Sequence, residues 1–173
     1  LIFFSFAVHA HTFTGMGGFY DGLSHPVLGI DHFLAMVSVG IVSAQIGGRA
    51  IWTIPATFVL MMIIGGTIGM LIEVFFFDLE ESAFIFVEYG IVFSVILLGL
   101  AIAIEKKIAT NIIMIFICIF GMCHGLAHGM EMPWAVNPIL FALGFASGTA
   151  ILHLFGVGIG SLAIKTKFSS IVL

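Results

Sequence analysis

Apolar residues dominate this chain in long blocks, at about 27–46, 52–74, 84–104, 108–130 and 135–164. Short polar or helix-breaking gaps separate them: Gly47-Gly48-Arg49, Asp78-Leu79-Glu80-Glu81, Glu105-Lys106-Lys107 and Pro133. Each block reaches the ~20 residues a helix needs to cross a bilayer core of ~30 Å, so the pattern predicts an all-α, polytopic membrane bundle of about five transmembrane helices. The last block is long for one crossing, and a tilt or a bend at Gly156, Gly158 and Gly160 accommodates the excess. Pro26 is expected in the first turn of helix one, with Ser24 or His25 capping it.

Ahead of these blocks, residues 1–10 are apolar and place small residues, Val8 and Ala10, at the −3 and −1 positions before polar His11 and Thr12. This reads as the tail of a cleavable signal peptide. The expected division is a partial signal peptide over 1–10 and one transmembrane domain over 11–173, with His11 as the mature N-terminus. All five basic residues fall in alternate gaps: Arg49 after helix one, Lys106 and Lys107 after helix three, Lys165 and Lys167 after helix five. The positive-inside rule then puts the mature N-terminus outside and the C-terminus in the cytoplasm.

Composition sharpens the class. The 173 residues are 61% hydrophobic and only 8% charged, against about 25% charged in a soluble domain, and the mean hydropathy is +1.29. A soluble globular protein is excluded, and the lipid bilayer is the expected surrounding. A formal net charge of −4 has the wrong sign for a nucleic-acid footprint. Cys118 and Cys123 lie five apart in one helical run and imply no disulfide framework. Glycines recur at helix-packing spacing at Gly121, Gly125 and Gly129, at Gly65 and Gly69, and at Gly144 and Gly148. Seven histidines outnumber the five Lys plus Arg, and in so apolar a chain that excess is a sign of chemistry.

Two stretches concentrate it. Near the outer end of helix one stands Ser24-His25-Pro26-Val27-Leu28-Gly29-Ile30-Asp31-His32. On one straight helix His25 and His32 share a face but lie about 10 Å apart along the axis, so they share an ion only if His25 folds inward; otherwise they serve successive sites. At the outer end of helix four comes Cys123-His124-Gly125-Leu126-Ala127-His128-Gly129-Met130-Glu131. His124 and His128, at i and i+4, stack about 6 Å apart on one face, a spacing at which two imidazoles can chelate one ion, with Glu131 one turn further out. Cys123 points about 100° away from His124.

The expected topology brings both stretches, with Glu88 at the start of helix three, into the outer half of the bundle. Polar groups in a membrane must find partners or a water-filled cavity. The convergent set His25, Asp31, His32, His124, His128 and Glu131 therefore reads as a divalent-cation site. Imidazole with carboxylate suits Ni²⁺, Co²⁺, Zn²⁺ or Cu²⁺ better than Mg²⁺ or Ca²⁺. His11, by its α-amine and imidazole, is a secondary candidate as an external capture arm. His153, near the middle of helix five, either continues an ion path inward or bonds between helices, and Glu73 ranks after it.

Together, His25-Pro-x-x-Gly29-x-Asp31-His32-x-x-Ala35-Met36-x-x-Val39-Gly40 and His124-Gly125-x-Ala127-His128-Gly129-x-Glu131 resemble the two signature motifs of the HupE/UreJ family of nickel/cobalt permeases. The resemblance extends to Glu88-x-Gly90-Ile91-x-x-Ser94-x-x-x-x-Gly99 and to Gly144-Phe145-x-x-x-Thr149-x-x-x-His153-x-x-Gly156, and so covers nearly the whole mature chain. It implies uptake of Ni²⁺, or in some members Co²⁺, across a bacterial inner membrane, with the ion as substrate and no permanently bound cofactor. Cys123 departs from the Phe often found before the first histidine of the second motif, which bears on the choice of metal. No phosphate-binding Gly-Lys loop is present, so the expectation is a permease driven by the membrane potential and not an ATP-driven pump. The rival class is an intramembrane zinc-dependent hydrolase in which the same histidines hold zinc and Asp31 or Glu131 acts as general base.

Overall fold

The computed structural model describes residues 18–75, 81–104, 108–132 and 137–172. The 1–10 segment, His11, and Asp78, Glu80, Glu105, Lys106, Lys107 and Pro133 from the polar gaps lie outside the described residues. Among the described residues the regular structure is six helices: α1 Phe19–Leu28, α2 Ile30–Ile46, α3 Ala50–Phe75, α4 Glu81–Ile104, α5 Thr110–Glu131 and α6 Pro138–Val172. Four stretches are each long and apolar enough to cross a membrane: Ala50–Phe75, Ile85–Ile104, Thr110–Glu131 and Pro138–Thr166. The α1–α2 pair passes the same test only when its two helices are taken together, which is the pattern of a broken span or a re-entrant loop.

That break corrects the expected first helix over 27–46. The chain turns by 84° between α1 and α2, and the corner is Gly29, whose extended backbone (φ −82°, ψ 117°) belongs to neither helix. Its N–H closes α1 on the His25 carbonyl at 3.4 Å, and its carbonyl opens α2 by accepting Phe33 N–H at 2.8 Å. Pro26 accordingly sits toward the end of α1, not in a first turn. Ser24 does not cap a helix; its hydroxyl donates to the Tyr20 carbonyl at 2.9 Å. The Asp31 carboxylate instead accepts the His32 N–H in the first turn of α2, at 2.8 Å, where helix donors are otherwise orphaned.

At its other end α2 stops at Gly47, whose φ of 77° favours glycine, and the chain reverses into α3 through Gly48. The last helix begins at Pro138, later than the expected 135, because Asn137 caps it: Asn137 Oδ1 accepts the N–H groups of Ile139 and Leu140 at 3.0 and 3.1 Å. It then runs unbroken through Gly156, Gly158 and Gly160.

Close backbone approach holds the bundle together. Gly125 and Gly129 of α5 press against the Met62 and Gly66 carbonyls of α3, Gly144 of α6 against the Phe19 carbonyl of α1, and Gly156 of α6 against the Val37 carbonyl of α2. A Cβ at any of these positions would overlap backbone, so the helices approach as closely as small residues allow. Met36, Ile54, Phe58 and Ile117 are fully buried between them, while Ile, Leu and Phe side chains stand exposed along the outer helix faces, as lipid contact requires.

Candidate metal centre

The right-angled corner at Gly29 swings α1 back over the bundle and carries His25 with it. Its ring lies 6.0 Å, centroid to centroid, from that of His32 and 4.7 Å from that of His128. The inward fold that ion sharing demands of His25 is thus supplied by the backbone. From α5, His124 and His128 reach the His32 ring at 5.1 and 4.5 Å. Four imidazoles from three helices form one cluster.

Among the described residues two groups have their donor atoms within 4.8 Å of one another: His32, His124 and His128, all buried, and His25, His128 and Glu131, with Glu131 exposed. Two nitrogens ~2.1 Å from one ion are at most ~4.2 Å apart, so small ring rotations close either group. His128 is common to both.

Hydrogen bonding assigns the tautomers. His32 Nδ1 meets Asp31 Oδ1 at 2.7 Å; the carboxylate accepts, Nδ1 carries the proton, and Nε2 is left with its lone pair. His124 Nε2 meets the Ser94 hydroxyl at 3.1 Å. The single proton of Ser94 goes to the Ile91 carbonyl at 2.6 Å, so the hydroxyl accepts from Nε2–H and the His124 lone pair is on Nδ1. The atoms left over, His32 Nε2, His124 Nδ1 and both nitrogens of His128, are buried and have no hydrogen-bond partner among the described residues. Buried polar atoms without partners are rare and costly, and a cation between these rings would take up one lone pair from each of them. The residues present therefore fit a borderline transition-metal ion by donor chemistry as well as by position.

The sequence pattern of the HupE / UreJ protein family matches residues 1–172. The chain belongs to the HupE/UreJ family. A relative in it, "Protein HupE" of Rhizobium leguminosarum bv. viciae, is 40% identical over 154 residues, covering 89% of this chain and 76% of that protein. No solved structure matches the chain. The HupE/UreJ family is related to nickel and cobalt transport, and the histidine cluster is compatible with that relation.

Of the residues singled out in this HupE/UreJ sequence, His25, His32, His124, His128 and Glu131 supply the donor atoms of the two groups. Asp31 joins neither group and acts on the cluster through His32. Glu88, half-buried on α4, also joins neither. Cys123 is half-buried, its sulfur against Gly90. His153 is buried apart from the groups. The aromatic surround was not apparent from the sequence. Phe145 packs on His128 at 4.3 Å and on His25 at 5.7 Å, Phe141 stacks on Phe145, and Phe58 contacts His124 at 5.4 Å. Ser94, which orients His124, lay within a quoted motif without a role. A hydroxyl one turn from a glycine on a lipid-spanning helix carries no local signal of that contact.

Proposed function

We propose that this protein is a permease that carries Ni²⁺, and Co²⁺ as a second substrate, through the bacterial inner membrane into the cytoplasm, with its N-terminal side outside. The observation that carries the reading is the set of buried imidazole nitrogens on α2 and α5 that have no hydrogen-bond partner among the described residues, with the His25 ring of α1 brought beside His128.

The two groups describe a route. Glu131 is the exposed member, so a hydrated cation first meets its carboxylate, His25 and His128, and exchanges part of its water there. The group of His32, His124 and His128 is wholly buried and anionic only through Asp31, which is hydrogen-bonded to the far nitrogen of the His32 ring. A neutral imidazole has one lone pair, so His128 serves one position at a time and passes the ion by rotating between them. Phe141 and Phe145 shield this step from lipid. An ion of charge +2 moving down ~100 mV gains about 4.6 kcal/mol, enough to favour uptake without ATP.

Purified protein in vesicles loaded with a nickel-quenched dye tests the reading. Influx is expected with an inside-negative potential and is expected to vanish in His128→Ala, which removes the shared ligand. A metallohydrolase built on the same residues would retain a tightly held zinc and move no ion, and an absence of influx in the parent protein overturns the permease.

A further inference from the structure

Outside the histidine groups, α6 buries two polar side chains that the fold leaves poorly satisfied. His153 is 1% exposed, and neither ring nitrogen has a hydrogen-bond partner among the described residues. Its neighbour Phe58, 5.3 Å away at an interplanar angle of 88°, offers at most one weak N–H···π contact and nothing to the nitrogen lone pair. One turn earlier, Thr149 is fully buried. Other helical hydroxyls here, those of Ser24, Thr67 and Ser147, donate to the carbonyl four residues back. Thr149 instead reaches across to α3, where it donates to Met62 Sδ at 3.7 Å, a weak acceptor.

These residues form a ladder on the α3–α6 seam. Thr149 and His153 are one turn apart on α6, and Met62 and Phe58 one turn apart on α3. The ladder adjoins the histidine groups at two points. Phe58 contacts both His124 and His153, and Met62 lines, together with His128, a cavity of about 80 Å³.

We propose that His153, Thr149 and Met62 form an inner receiving station for the transported cation, offering an imidazole nitrogen, a hydroxyl oxygen and a thioether sulfur. This rests on the permease reading above. Such a mixed set suits a borderline first-row divalent ion and not Mg²⁺ or Ca²⁺. It offers one imidazole where the His32, His124 and His128 group offers three, and no carboxylate stands behind that ring as Asp31 stands behind His32, so it holds the ion less tightly, as a station from which an ion must leave requires. Phe58 fills the space between His124 and His153 and keeps the two positions distinct.

The test compares equilibrium Ni²⁺ binding in detergent with Ni²⁺ influx into vesicles for the parent protein, His153→Gln and Thr149→Val. Binding reads the His32, His124 and His128 group, which both variants leave intact, and is expected to stay within about twofold of the parent. Influx is expected to fall about tenfold or more in His153→Gln and about threefold or more in Thr149→Val. Thr149→Val preserves the side-chain outline and decides the matter alone if His153→Gln does not reach the membrane. Influx at the parent rate, or binding and influx falling together, overturns the station. A parent protein that binds nickel but moves none overturns the permease itself, and the parent trace separates that failure from failure of the station.

Discussion

Asp31 Oδ1 accepts two hydrogen bonds from one residue, His32: from its ring Nδ1 at 2.7 Å and from its backbone N–H at 2.8 Å. The pair fixes at once the tautomer of His32 and the start of α2. Asp31→Asn keeps the shape but presents an amide that no longer demands a protonated Nδ1. Nickel affinity, measured by isothermal titration, is expected to fall about 10–100-fold, with helix content by circular dichroism unchanged.

Ser94 does for His124 what Asp31 does for His32, with a neutral acceptor in place of a charged one. Ser94→Ala is therefore expected to cost less than Asp31→Asn, about tenfold in nickel affinity, at the lower end of outer-shell effects. The same titration checks it; a loss as large as that of His124→Ala would show that the hydroxyl does more than orient the ring.

Glu131 is the exposed member of its group, whereas His32 and His124 are buried. Glu131→Gln is expected to raise the half-saturating Ni²⁺ concentration for vesicle influx about tenfold while leaving the rate at saturation near that of the parent, the signature of a capture residue. His124→Ala is expected to lower the saturating rate.

Ion binding to the folded protein must also stabilise it. At a free Ni²⁺ concentration of about 100 times Kd the gain is about 2.7 kcal/mol, visible as a higher unfolding temperature by differential scanning fluorimetry in detergent and reversed by a chelator. His128→Ala is expected to show no such shift.

Gly125→Ala would drive a methyl into the Met62 carbonyl and force α5 away from α3. A loss of about 1–3 kcal/mol of stability is expected from such overpacking, with His124 and His128 displaced and nickel binding weakened. Gly99→Ala, where a Cβ meets open space, is the matched control and is expected to leave the unfolding temperature unchanged or raise it.

The spans and the chelating pair were legible because both are local properties. Apolar length identifies a crossing, and His124 and His128 share a face by helical period alone, whatever packs around them. The corner at Gly29 was not legible. Read locally, Pro26 belongs at a helix start, and the polar, aromatic stretch before it shows no long apolar block. What makes Phe19–Leu28 a helix is its packing on α6, where Gly22 and Gly144 let two backbones meet, and such a contact between distant stretches leaves no periodic trace. The same holds for Phe58 and Ser94, whose importance lies wholly in which residue of another helix they face. Asp31 was recognised as part of the chemistry, but sequence spacing does not distinguish a carboxylate that touches an ion from one that orients the ligand.

The corner carries one further consequence. A Cβ on Gly29 would stand 3.0 Å from His32 Nδ1 and 3.1 Å from Asp31 Oδ1. Curvature of the chain and basicity of a donor atom are therefore governed by a single residue, and a variant selected for a gentler bend inherits an altered imidazole whether or not that is wanted. Redesign of metal preference is better begun on α5, where Cys123 stands beside His124 and the chain direction is not at stake.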